Sequence, residues 1–319
     1  MALHPELLPY LGGPATADLD HIATSRDIAS ALTLIAVAER PVLPPDLEVT
    51  NHVATGSDGY AVGVRVYRGT KVEGRRGALL FVHGGAFVFG DLELEHDRCL
   101  TYARDTDVVI VAVDYRLAPE HRYPTALHDV DTALTWLLSH ADKLSIDTAR
   151  VGVGGASAGG ALAAALTLWC RDRGGPALAA QLLLYPALDD RGQFPSLDQY
   201  EHGPPWDGRR SRQMWSLYLP EGESATQYAA PARADNLAGL PPTLMVTCEE
   251  DPLRDEDLDY VERLRAADVA VVHDHYPSAY HAFDVIAIST ALAQGALANQ
   301  CDFLQRTLGT VQSQGVPRT

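Results

Sequence analysis

Short β-rich runs alternate with helical stretches through most of this chain, and that alternation restricts it to a mainly parallel sheet covered by helices on both faces. The runs are 61–68, 78–82, 108–114, 150–153, 181–185, 243–247 and 269–276. Helical stretches at 126–143, 158–173, 255–267 and 282–307 separate or follow most of them. Val108-Val109-Ile110-Val111-Ala112-Val113 is apolar throughout, as a strand buried on both sides should be. Residues 1–46 are helix-prone and punctuated by Gly12-Gly13-Pro14, Pro41 and Pro44-Pro45. Residues 189–230 interrupt the alternation with Phe194, Tyr200, Trp206, Trp215, Tyr218 and Tyr228 among Pro195, Pro204, Pro205 and Pro220. That stretch is too long for an ordinary connection. The expected organisation is an α/β core over 47–188 and 231–319, with a helical cap built from 1–46 and the insertion 189–230. The plainer alternative is extra helices packed on the core.

With 319 residues and 46% hydrophobic side chains, the chain can bury a full core without disulfides or metals. Lys plus Arg number 25 against 42 Asp plus Glu, a net charge of −17. Such a surface repels phosphate backbones, so nucleic-acid partners are excluded. Cys99, Cys170, Cys248 and Cys301 show no Cys-x-x-Cys or Cys/His ligand spacing and read as buried free thiols. Met1-Ala2-Leu3-His4-Pro5-Glu6 is not the start of a signal peptide, and no apolar stretch approaches the length of a membrane span. The expectation is a soluble cytoplasmic protein.

The sharpest motif is Gly155-Ala156-Ser157-Ala158-Gly159, directly after the run 150–153 and directly before a helix. A nucleophilic serine needs a tight strand-to-helix turn, and small neighbours allow the backbone to fold there. The following helix N-terminus adds partial positive charge where an oxyanion would develop. The competing reading is a phosphate-cradling glycine turn, but the Gly-x-x-x-x-Gly-Lys pattern is missing. Upstream, His83-Gly84-Gly85-Ala86-Phe87 follows the run 78–82. Gly84 and Gly85, with the N–H of Ala158, are the expected oxyanion donors. His83 reads as a residue ordering this loop, with the role of base as the alternative.

A serine nucleophile needs a base, and the base an orienting carboxylate, in the chain order Ser, Asp or Glu, His. Asp251 is the preferred acid because Pro252 stops the run 243–247 nearby and a helix follows; Glu250 and Asp255 are the alternatives. His273 and His275 share one face of a strand, which admits a metal pair, but no third ligand is evident and no metal is expected. His281 follows that strand, just before the last helix, and is the preferred base among 12 histidines.

In combination with Asp114-Tyr115-Arg116-Leu117-Ala118-Pro119-Glu120, Asp251-Pro252-Leu253-Arg254-Asp255-Glu256 and His281-Ala282-Phe283, these motifs resemble those of the bacterial hormone-sensitive-lipase-like carboxylesterases, an α/β-hydrolase family, over about residues 47–305. Within it the similarity is to small ester hydrolases of the heroin-esterase type. The resemblance implies an eight-stranded, mostly parallel sheet with a helical cap, a triad of Ser157, Asp251 and His281, and Tyr115–Glu120 as support for the active-site loops. It also implies homodimers, with an edge strand near 269–276 as the place of pairing. The chain departs from the family pattern at three positions. Ala86 replaces a third glycine, which requires a negative φ there; Ala156 stands where aspartate is common, and Ala282 where glycine is common.

The expected reaction is hydrolysis of short- to medium-chain acyl or aryl esters through an acyl-enzyme, with no cofactor. Phe87, Trp206 and Trp215 are the expected substrate contacts, lining an apolar slot. The activity should fall on the acid side as His281 becomes protonated. An amidase or acyltransferase would use the same triad, and a non-catalytic small-molecule receptor the same fold; the histidine at 281 speaks against the receptor.

Overall fold

A computed structural model describes residues 3–11, 18–71, 74–203, 205–222 and 224–310. The punctuation Gly12-Gly13-Pro14 and Pro204 lie outside the described residues. In chain order the strands are β1 (Leu47–Thr55), β2 (Ala61–Gly69), β3 (Arg76–Val82), β4 (Val109–Asp114), β5 (Ile146–Ala156), β6 (Gln181–Leu184), β7 (Thr243–Glu250) and β8 (Val271–Tyr280). The helices are α1 (Ile22–Glu39), α2 (His96–Asp105), α3 (Thr125–Ser139), α4 (Ala141–Leu144), α5 (Ala158–Asp172), α6 (Pro195–Gln199), α7 (Gly208–Tyr218), α8 (Arg254–Ala266), α9 (Phe283–Ile286) and α10 (Ala291–Thr307). They build one eight-stranded sheet of order β1-β2-β4-β3-β5-β6-β7-β8. β1 and β2 pair antiparallel, as do β2 and β4, and every other pairing is parallel.

Period two along each strand divides the core. In β3, Ala78, Leu80 and Val82 belong to the cluster under α3, α5 and α8, whereas Leu79 and Phe81 face α2 and α10. Every residue of β3 is buried, and from Ala78 to Val82 it is apolar throughout, as a strand covered on both faces should be. Each such Leu or Phe contributes about 1.5–3 kcal/mol of hydrophobic stabilisation. β3 and β5 neighbour each other, yet the chain leaves β3 towards β4 on one side and reaches β5 on the other. The C-terminal ends of these two strands therefore flank the point where the winding reverses, the place at which open α/β sheets bind ligands.

Several boundaries differ from expectation. β1 and α2 are not anticipated: β1 is a half-exposed edge strand, and α2 is rich in charge, with a buried Arg98. β8 continues through Pro277 to Tyr280, an edge position where a missing N–H is tolerated. The stretch 282–307 splits into α9 and α10, because Thr290 caps α10 by accepting the Ala293 N–H at its hydroxyl. The segment 1–46 also divides. Leu7, in a 3₁₀ turn over Pro5–Tyr10, packs in the cluster containing Tyr280 and Phe283, while α1 lies over the C-terminal ends of the strands. No helix among the described residues is long and apolar enough to cross a membrane.

Candidate active site

Ser157 stands on the residue between β5 and α5, at φ 55° and ψ −120°. Such a conformation costs about 1–3 kcal/mol and persists only where its surroundings over-determine it. Here the Ser157 N–H donates to Leu184 O at 2.9 Å, and its carbonyl accepts from Ala161 at 3.0 Å and Ala187 at 3.2 Å. Gly159 is required by close approach: a Cβ there would lie 2.2 Å from Val82 O and 2.3 Å from His83 O. The small residues around the serine thus let α5 begin directly against the end of β3.

The structure brings three of the expected side chains into one line. Ser157 Oγ lies 2.9 Å from His281 Nε2, and His281 Nδ1 lies 2.7 Å from Asp251 Oδ2. The carboxylate can only accept, so Nδ1 carries the hydrogen and Nε2 is left to accept the Ser157 O–H. Asp251 Oδ1 accepts the Leu253 N–H at 2.9 Å, which fixes the carboxylate beyond the end of β7. Asp251 is wholly buried, and His281 and Ser157 are 6% and 9% exposed. Because β8 runs on to Tyr280, His281 leaves the strand directly, with no intervening loop.

The alternatives lie elsewhere. Asp255 accepts from the Ser196 N–H and pairs with Arg254. His273 Nε2 and His275 Nδ1 each sit 2.9 Å from the Thr247 hydroxyl, and His275 Nε2 sits 3.2 Å from Glu249. No group of three or more His, Cys, Asp or Glu among the described residues could hold a metal ion. All four cysteines are buried and free.

Gly84 comes close to the serine, its hypothetical Cβ only 3.6 Å from Ser157 Cβ. Gly85 has φ +108°, and a side chain there would strike Phe89 O at 2.3 Å. Ala86 at φ 58° and Phe87 at φ 60° continue in the left-handed region. This overturns the expected negative φ at Ala86: the loop keeps its glycine-like path, and alanine is the smallest chiral residue that can follow it. Glu95 lines the same cavity as Gly84 and Gly85. Ala158, wholly buried, opens the first turn of α5, whose leading N–H groups have no intrahelical partner.

His83 engages its own loop and Tyr115. Its Nδ1–H donates to Gly84 O at 2.7 Å, and its ring stacks on Tyr115 with centroids 4.2 Å apart. The Tyr115 hydroxyl donates to His83 O at 3.1 Å. Burial lowers the His83 pKa to about 4, so the ring is neutral and orders the loop. Arg26 of α1, missed in the sequence, donates to Val88 O and Ala118 O at 2.9 and 2.8 Å and forks onto Glu120. It ties the glycine loop to the Tyr115–Glu120 segment. Buried residues seldom advertise such roles in sequence, but Tyr185 could have been found, since it immediately follows β6 at the ligand end of the sheet.

A cavity of about 410 Å³ opens over Ser157 and His281, lined also by Gly84, Gly85, Ala86, Tyr185 and Trp206, with Ala29, Ser30 and Thr33 of α1 at its rim. Trp206 tilts toward His281 with centroids 6.3 Å apart, and its indole N–H donates to Ser211. Phe87 and Trp215 do not line the cavity. Phe87 stacks on Tyr218 at 3.8 Å with Trp215 5.7 Å away, and the three form part of the core. The aromatic surface expected in the slot is spent partly on packing α7 against the glycine loop.

Residues 79–285 match a family described as having the alpha/beta hydrolase fold. Esterase LipI of Mycobacterium tuberculosis is 38% identical over 240 residues, covering 74% of this chain and 75% of that protein. Carboxylesterase NlhH of the same species is 34% identical over 275 residues, covering 84% and 85%. Among solved structures, a bacterial heroin esterase superposes with a TM-score of 0.91 at 34% identity, covering 97% of this chain and 99% of that one.

Proposed function

The chain belongs to the α/β-hydrolase fold family, in its hormone-sensitive-lipase-like branch, and is a carboxylic ester hydrolase; from that premise we propose that Ser157, His281 and Asp251 perform the reaction through an acyl-enzyme. The observation that carries this reading is the continuous hydrogen-bonded line from Ser157 Oγ through His281 to Asp251.

In this mechanism His281 takes the Ser157 proton through Nε2 as Oγ attacks the ester carbonyl. Asp251 holds the imidazole tautomer and stabilises the imidazolium without itself taking the proton. The tetrahedral oxygen develops between the glycine loop and the first turn of α5. Backbone N–H groups there, those of Gly84, Gly85 and Ala158, stabilise it by about 3–4 kcal/mol per donor. His281 then gives its proton to the leaving alcohol, takes one from the attacking water, and returns it to Ser157 Oγ as the acyl C–Oγ bond breaks and the acid departs.

Residues 189–230 and α1 form the cap in this reading. The cavity of about 410 Å³, walled by Trp206, supports short- to medium-chain acyl or aryl esters. We also propose that two copies associate through the free edge of β8; a monomer mass by light scattering would remove that part.

The test is intact-mass analysis after exposure to a fluorophosphonate, with Ser157→Ala alongside. One adduct on the wild type and none on the variant is the expected result, and an unmodified, folded wild type sinks the assignment. Matched ester and anilide substrates then distinguish esterase from amidase preference.

A further inference from the structure

Behind the cavity lies a charged cluster that the reaction above does not use. Arg98 of α2 is fully buried. Its Nε donates to Glu95 at 2.7 Å, and its two terminal nitrogens donate to the two oxygens of Asp284 at 2.8 and 3.1 Å. The Tyr185 hydroxyl accepts from Arg98 Nη2 at 3.1 Å and donates to Asp284 Oδ1 at 2.6 Å. Gln300 closes the set, accepting from Arg98 at 3.0 Å and donating to Asp284 at 2.9 Å.

The ends of this cluster reach both halves of the site. On one side Glu95 lines the cavity beside Gly84 and Gly85, in the loop that faces the developing oxyanion. On the other, Asp284 belongs to α9, which begins just after His281, and the Tyr185 ring meets the His281 ring edge-on with centroids 4.9 Å apart. Burying two carboxylates and a guanidinium is costly unless every lone pair and N–H is used. A fold seeking stability alone is served as well by apolar side chains of similar volume. What the ionic arrangement supplies is direction, because a planar guanidinium holds its partners at fixed angles.

We propose that Arg98 is a positioning residue: through Glu95 and through Asp284 and Tyr185 it sets the oxyanion loop and the His281 loop in register across the substrate cavity. This rests on the triad reading above. Displacement of either half by a fraction of an ångström lowers the rate of reaction more than the binding of substrate, since catalytic geometry is far more exacting than ground-state contact.

The experiment compares Glu95→Gln, Asp284→Asn and Tyr185→Phe with wild type on p-nitrophenyl acetate, normalised to sites titrated by a fluorophosphonate. Melting midpoints are taken on the same samples. Expected is a fall in kcat of about tenfold or more for the two charge-neutralised variants, with KM within about twofold. Combining Glu95→Gln with Asp284→Asn should cost less than the product of the single effects, because both act through Arg98. Tyr185→Phe removes one hydroxyl and keeps the ring against His281, so it stays foldable if the others do not; its kcat should fall severalfold. Variants that lose melting temperature while keeping kcat per titrated site would reduce Arg98 to a stabilising residue and overturn the proposal. A wild type that takes no adduct instead overturns the triad reading beneath it.

Discussion

Asp251 meets His281 through Oδ2 at 2.7 Å and anchors its other oxygen on the Leu253 N–H, so one carboxylate fixes both the imidazole and its own rotamer. Asp251→Asn keeps the shape but presents a donor where an acceptor is needed, favouring the wrong tautomer of His281. A fall in kcat of about 10⁴-fold at neutral pH is expected, with the fold unchanged by circular dichroism. A loss of less than about tenfold would mean that another acid orients the base.

Ala86 occupies a left-handed conformation at φ 58°. Ala86→Gly relieves about 1–2 kcal/mol of local strain but gives back up to about 1 kcal/mol through the more flexible unfolded chain. The melting midpoint should therefore move little and activity should persist. Ala86→Val places a β-branched side chain where that geometry is strongly disfavoured, and kcat should fall at least tenfold as the loop shifts. Equal activity in all three would detach this loop from the reaction.

Trp206 and Trp215 should respond in opposite ways. Trp206→Ala enlarges the cavity beside His281, so the acyl-length profile on p-nitrophenyl esters should shift toward longer chains. Trp215→Ala and Phe87→Ala instead remove core packing and should destabilise by about 3–5 kcal/mol each, read by urea denaturation. A shifted profile from Trp215→Ala at intact stability would return that residue to the substrate site.

Asp257 is buried, and among the described residues neither of its carboxyl oxygens has a hydrogen-bond partner. Burial, followed by the neighbouring Glu256 and Asp251 charges, raises its pKa well above 3.8. The native state thus holds this proton after the unfolded chain has lost it, and stability falls as pH rises from about 4 through the folded pKa. Asp257→Asn removes that loss. Its melting midpoint should match the wild type near pH 3 to 4 and exceed it increasingly toward pH 8, by ~2–4 °C for each kcal/mol recovered. A constant difference across that range would show that the carboxyl is not kept protonated by the fold.

What the sequence made legible was the set of residues whose position along the chain implies their position in the sheet. Ser157 follows β5 and Asp251 follows β7, so the rule that ligands sit beyond the carboxyl ends of parallel strands reaches both. His281 was reachable by chain order, although β8 proved longer than its β-rich run because an edge strand accommodates Pro277. Phe87 and Trp215, expected as substrate contacts, pack on Tyr218 and do not line the cavity, and an aromatic side chain carries no sign in the sequence of which neighbour it will cover. Arg98 escaped because its partner Asp284 lies 186 residues away, and only the folded chain shows that a charged helix can be buried. The backbone at Ala86 was beyond reach for a related reason, since its left-handed path is imposed by Phe89 folding back onto Gly85.

The contact of Gly159 with the carbonyls of Val82 and His83 has a consequence for how this enzyme can be altered. The turn bearing Ser157 and the strand leading into the Gly84–Gly85 loop touch there backbone to backbone, leaving no side chain to vary. Directed evolution of substrate range should accordingly find its gains at the rim, where Ala29, Ser30 and Thr33 offer short side chains with open space before them. The placement of Ser157 is cast in main chain; the cavity rim is left to residues that can change without disturbing it.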